Sequence, residues 1–233
     1  MTTIRVAALP QEVAKRIREM IRKGILKEGD RIVENPLCRA MGVSRTPLRE
    51  ALRLLSFEGL IQLIPNKGAV VVQPSMEDVR EMFWVMSILE GTCARECAKR
   101  IDEKGLKKLE NLYKKLERHF EEEHHEKYMA VNHSYHTLVQ ELAGSKVLSE
   151  VINGLRQKIL LHRYRQIYQP NRLMTSMQEH RALQEAFRKK DPVAAERLMK
   201  EHLIRQCEAL ENADHKPEGR VSRVSACHLK TSG

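Results

Sequence analysis

Between residues 10 and 74 the chain passes through three short amphipathic stretches and then two apolar runs split by a turn, an order that few folds accept. Pro10 to Gly24 sets Val13, Ile17, Met20 and Ile21 at helical spacing. Gly29-Asp30 marks a turn. Asn35 to Met41 reads as a second helix ended by Gly42. Ser44 opens a third, with Pro47 in the first turn, where proline is tolerated. The third helix places Leu48, Ala51, Leu52 and Leu55 on one face and ends near Gly59. Leu60–Ile64 and Ala69–Gln73 then read as strands about the turn Pro65-Asn66-Lys67-Gly68, and Pro74 closes the block. Three helices followed by a hairpin wing are the order of a winged helix-turn-helix.

From Ser75 onward no strand signal remains. Ser75-Met76-Glu77-Asp78 has the character of a helix start, leading into Val79, Met82, Phe83, Met86 and Leu89 at helical spacing. Further helices are predicted at roughly 103–122, 125–143, 145–168, 175–189 and 192–211, with breaks at Gly144 and Asp191-Pro192. The expected fold is therefore mainly α. Residues 1–74 form the winged helix-turn-helix and 75–211 an all-helical bundle. Residues 212–233, where periodicity stops, form a disordered tail.

Charge narrows the partners. The formal net charge is +10. The first 74 residues hold 13 Lys and Arg against 7 Asp and Glu, so most of the excess sits there. Such a bias points to a polyanion, nucleic acid or an anionic membrane. No stretch approaches 18 apolar residues and the N-terminus lacks a signal-peptide core, which argues against a membrane protein. Cys38, Cys93, Cys97, Cys207 and Cys227 are odd in number and form no CxxC pair, which suits a reducing, cytoplasmic compartment.

The third helix carries the chemistry of the first block. Arg45 and Arg49 lie four apart and share a face that Arg53 continues, opposite the leucines. A helix apolar on one side and guanidinium-rich on the other fits a recognition helix in the DNA major groove, where arginine donates twice to guanine. It fits a solvated basic face as well, and spacing alone leaves both readings open. Ser44 and Thr46 at the helix start can bind phosphate through hydroxyls and free amides. Lys67 and Gly68 at the hairpin tip would let a wing approach the DNA backbone or minor groove closely.

In the helical block the histidines stand out. His119, His124 and His125 lie in a Glu-rich stretch and are read as solvated. His136 shares a face with Asn132, Tyr135, Val139, Leu142 and Ala143; His180 lines up with Leu183 and Phe187, and His202 with Leu198, Met199, Leu203 and Leu210. One histidine on such a stripe reads as a hydrogen-bonded core residue. As a group they read differently. The Asp191 break makes the last two helices antiparallel, and His180 and His202 each lie eleven residues from it, roughly 16 Å along their helices. Asn132 and His136 add an i, i+4 pair. Three imidazoles and an amide oxygen converging in a bundle suit Zn²⁺ or Ni²⁺, with open positions for a small anion.

Two segments resemble known families. "GDRIVENPLCRAMGVSRTPLREALRLLSFEGLI" followed by "PNKGAVVV" resembles the N-terminal domain of the GntR family of bacterial regulators. The resemblance implies DNA contacts from Arg31, Ser44, Arg45, Thr46 and Arg49, with Gly68 at the wing tip. Asn35-Pro36 departs from the family's usual opening of the second helix. Ser75 to Leu210 resembles the FCD ligand-binding domain of the FadR subfamily, on "ILEGTCARECAKR", "NHSYHTLVQELAGSKVL" and "EHRALQEAFRKKDPVAAERLMKEHL". That resemblance carries the metal ligands onto Asn132, His136, His180 and His202. Asn132 stands where the family has Asp, which removes a negative charge. Met86 stands where an effector-binding Arg is expected, and Arg163, near His162 and Arg165, is the candidate replacement.

The resulting expectation is an allosteric transcriptional regulator: a homodimer on a palindromic double-stranded operator, responding to a small-molecule effector of organic-acid type held at a metal. Two alternatives stand beside it. One is a metal-dependent enzyme tethered to DNA, although no HExxH and no general base are evident. The other is an architectural DNA-binding dimer without an effector.

Overall fold

The computed structural model describes residues 8–65, 68–72, 74–159 and 171–214. The first part holds α1 (Ala8–Arg22), β1 (Arg31–Ile32), α2 (Glu34–Met41), α3 (Arg45–Phe57), β2 (Ile61–Ile64) and β3 (Gly68–Val71). Val13, Ile17 and Ile21 of α1 pack with Leu48, Leu52 and Leu55 of α3 and with Ile32, Ile61, Ala69 and Val71 of the sheet. Gly42 caps α2 in the left-handed conformation (φ 66°), which turns the chain into α3 without the strain a side chain would bring.

The sheet has three strands in the order β1-β3-β2, all antiparallel. In β2–β3, Ile61 faces Val71 and Ile64 faces Gly68. In β1–β3, Arg31 faces Val70 and Ile32 faces Ala69. The hairpin is the predicted one. β1 was not anticipated, because two residues are too few to show an alternation.

A capping box starts the second part: Ser75 Oγ accepts from the Asp78 amide, and Asp78 accepts from the Ser75 amide. There follow α4 (Met76–Arg100), α5 (Glu103–Glu121), α6 (His125–Ala143), α7 (Lys146–Lys158), α8 (Arg172–Arg188) and α9 (Pro192–Asp214). α9 runs to Asp214, three residues past the expected end. The predicted 145–168 helix appears as α7, which ends at Lys158 with Ile159 as its C-cap, and residues 160–168 lie outside the described residues.

α4 is the axis of this part, and a single core gathers side chains from Val79 to Leu210 around it. Gly91 brings α9 against it: a Cβ there would stand 2.7 Å from Lys200 Cγ and 3.2 Å from the Glu196 carbonyl. Met86 belongs to this apolar core. Cys93 and Cys97 are buried free thiols, pushed up by burial to about 11 and about 12. No described helix is long and apolar enough to cross a membrane.

Candidate functional site: a buried histidine centre and an exposed arginine face

His136 on α6, His180 on α8 and His202 on α9 are fully buried and meet inside the bundle. Their ligand nitrogens lie within 4.8 Å of one another. Each ring is oriented through Nδ1. His136 Nδ1 donates to Glu90 Oε2 of α4 at 2.7 Å. His180 Nδ1 donates to the Ser176 carbonyl at 2.7 Å. His202 Nδ1 donates to Glu179 Oε2 at 2.5 Å. All three partners only accept, so each Nδ1 carries the proton and each Nε2 presents a lone pair.

Those lone pairs face one another. His136 Nε2 lies 3.2 Å from His202 Nε2, and His180 Nε2 has no hydrogen-bond partner. Two unprotonated nitrogens at that distance repel unless a cation sits between them. Asn132, one turn before His136 on α6, is buried, and its Oδ1 also lacks a hydrogen-bond partner. Gln206 donates through Nε2 to His202 Nε2 at 2.6 Å, at the α9 side of the cluster.

Behind the imidazoles lie two buried ion pairs. Arg156 of α7 grips Glu90, with Nε to Oε1 at 2.9 Å. Arg172 Nη2 holds Glu179 Oε2 at 3.1 Å. Burial alone would raise both carboxyls. Arg156 and His136 instead hold Glu90 well below the usual range, while His202 and Arg172 bring Glu179 down to about 2. Burial also drives the imidazoles down, His180 to about 3 with His202 adding to the effect. His136 falls well below its ordinary value, and His202 falls too, against the pull of Glu90 and Glu179. At neutral pH the three rings are neutral, the form a metal requires.

The sign of the pH dependence follows. Unfolded imidazoles take protons near about pH 6.5, whereas His180 in the fold stays neutral down to about 3. Across that window the unfolded chain binds more protons, so stability is lost as pH falls. Metal-stripped protein is expected to show a urea midpoint that declines steadily between about pH 6.5 and about pH 4. A flat midpoint would contradict this account of the histidines.

The arginine face has the expected geometry. Leu48, Ala51, Leu52 and Leu55 of α3 are buried, while Ser44, Arg45, Thr46, Arg49 and Arg53 are exposed. Ser44 precedes α3 and makes no side-chain cap, which leaves its hydroxyl available. Arg45 donates to Asn35 Oδ1 at 2.9 and 3.1 Å, and Arg49 Nε to both Glu34 carboxylate oxygens at 3.0 Å. Exposed contacts of this kind are worth little and yield to a stronger acceptor. Arg31 is exposed on β1 beside the wing tip, where a Cβ added to Gly68 (φ +87°) would lie 3.8 Å from Arg31 Nε. Lys67, and Arg163 with His162 and Arg165, lie outside the described residues.

One sequence reading needs correction. His119 is buried at 8% exposure rather than solvated, because it follows Leu109 and Leu116 on the inner face of α5. Glu90, Arg156, Arg172 and Glu179, all buried, are functional neighbours that the sequence analysis does not single out. Glu90 continues the apolar stripe of Phe83 and Met86, and that placement was the available signal for it.

The chain is similar to known proteins along most of its length. Residues 9–71 match the family described as bacterial regulatory proteins, gntR family, and residues 81–205 match the FCD domain. An uncharacterised HTH-type transcriptional regulator of Bacillus subtilis, YdhC, is 29% identical over 84% of this chain and 88% of its own. The HTH-type transcriptional repressor RspR of Escherichia coli is 26% identical over 83% of this chain and 85% of its own. The solved structure of E. coli McbR/YncC superposes with a TM-score of 0.75 at 21% identity, covering 92% of this chain and all of that one, a likeness of fold.

Proposed function

The chain belongs to the gntR family of bacterial regulatory proteins, with an FCD domain behind its DNA-binding domain, and from this we propose a regulator whose grip on a palindromic operator is set by a small anion held at a metal. The named relatives are transcriptional regulators, which sets aside the enzyme reading. In this reading the change of domain is at Pro74–Ser75, supported by two cores that share no residue. Arg45 and Arg49 read bases, Ser44 and Thr46 hold phosphate, and Arg31, Lys67 and Gly68 form the wing contact.

The observation that carries the effector half is the set of three inward lone pairs. His136, His180 and His202, with Asn132, would hold Zn²⁺ or Ni²⁺, which would supply a Lewis-acidic anchor. This donor set is neutral, and Glu90 and Glu179 are each already matched by an arginine. Two positive charges on the ion therefore favour an anionic co-ligand such as an organic acid. Arg156 Nη1, buried and without a hydrogen-bond partner, is a donor available to such an anion where Met86 offers none. Trp84 and Ile88, one turn apart on α4, are 64% and 42% exposed, an apolar strip suited to a second copy of the chain.

The test uses full-length, tag-free protein on an operator fragment. Two chains per operator are expected, with affinity that shifts when Zn²⁺ and a panel of organic acids are added together. His180→Ala should abolish both that shift and the rise in melting temperature that Zn²⁺ gives the wild type. An unchanged zinc-dependent rise in His180→Ala would overturn the metal assignment. Operator binding indifferent to every ligand would favour the architectural reading.

A further inference from the structure

We propose a second metal site, separate from the buried centre, at the corner between α5 and α6, held by His119, Glu122 and His124 and suited to Zn²⁺ and similar borderline ions. The ligand atoms of the three residues lie within 4.8 Å of one another. His119 Nδ1 lies 3.4 Å from Glu122 Oε2, and His124 Nδ1 lies 3.0 Å from the same oxygen. Donors about 2.0–2.2 Å from a tetrahedral zinc stand about 3.4 Å apart, so the set is already near bonding separation.

His119 supplies the independent pointer to a ligand. Its side chain is buried at 8% exposure, yet Nδ1 has no hydrogen-bond partner and faces Glu122. A buried ring nitrogen left without a partner is costly, and a cation at the corner would resolve it. The backbone holds the three residues in place. The Glu122 amide donates to the Arg118 carbonyl at 3.0 Å and the His124 amide to the His119 carbonyl at 2.9 Å. Glu123 between them takes a left-handed turn at φ 54°.

The two sites differ in character. The buried centre is neutral and enclosed. The corner site has two imidazoles and one carboxylate, so its ligand set carries one negative charge. Glu122 and His124 are exposed, which gives an ion direct exchange with solvent. Such a donor set suits Zn²⁺, Ni²⁺ or Cu²⁺ rather than Mg²⁺ or Ca²⁺. The corner also lies beside the seam between the two parts of the chain: Glu126, two residues beyond His124, pairs with Arg22 of α1 at 3.2 Å. An ion here would fix the first turn of α6, and with it the position of Glu126.

Equilibrium dialysis of full-length, tag-free protein against micromolar Zn²⁺, read by elemental analysis, counts the ions. His119→Gln/His124→Gln is expected to hold one zinc fewer per chain than the wild type. His180→Ala should lose a different zinc, and the combined variant should lose both. Glu122→Gln, an exposed substitution that does not threaten folding, should weaken the corner zinc by about tenfold or more, since even the supporting partners of ligands have effects that large. Equal zinc content and affinity in the wild type, His119→Gln/His124→Gln and Glu122→Gln would overturn the site. Because His180→Ala is scored separately, failure of the buried centre cannot be mistaken for failure of the corner.

Discussion

Arg45→Ala and Arg49→Ala are each expected to weaken operator binding by about 30-fold or more. A bidentate arginine–guanine contact contributes roughly 1–3 kcal/mol of discrimination, and a dimer would lose it twice. Both side chains are exposed and neither belongs to the core, so the fold should be retained. Binding to a scrambled duplex should fall far less, because one phosphate-range charge per chain is all that is lost there. Fluorescence anisotropy on operator and scrambled DNA at one fixed salt concentration separates the two. Wild-type operator affinity in either variant would remove α3 as the reading element. Glu34→Gln provides a control of opposite sign: it frees Arg49 and removes a negative charge from the DNA-facing side, so affinity should hold or rise.

The largest stability effect is expected at Glu90. Glu90→Ala strands the buried Arg156 guanidinium and removes the acceptor of His136 Nδ1 in one step. Taking one partner from a buried pair costs roughly 3–5 kcal/mol, most of it from the charge left behind. Removing both charges is a different matter, and Glu90→Leu with Arg156→Met should recover much of the loss. Urea midpoints of the two single variants and the double give the coupling directly. A Glu90→Ala midpoint indistinguishable from wild type would mean that the pair is not formed in the folded protein.

Sequence patterns reached some of this and missed the rest for identifiable reasons. Leu48, Leu52 and Leu55 against Arg45 and Arg49 declare α3 at once, since helical periodicity separates the two faces. The Asp191-Pro192 break and equal counting to either side bring His180 and His202 together from the sequence alone. β1 was invisible, because pairing with β3 is decided across the fold and not within Arg31–Ile32. The ion pairs behind the histidines were also missed, since a chain rich in charge gives no local cue that Arg156 or Glu179 is buried. His119 was misjudged by its acidic neighbours when its own stripe, from Leu109 through Leu116, was the better guide.

Glu90 also has a mechanical meaning. It sits beside Gly91, where α9 closely approaches α4, and about 22 Å along a continuous helix from its N-cap Ser75, which follows the three-stranded part of the chain. If α4 pivots at that crossing, where Glu90 ties it to His136, the winged part of the chain lies at the end of its longer arm. A tilt of ten degrees about Glu90 would swing Ser75 through about 4 Å, by the helix rise alone. Half-sites on a duplex repeat at a fixed spacing of about 34 Å. For the dimer proposed above, a displacement of a few ångströms per arm would be enough to move its two α3 helices into or out of register with such half-sites.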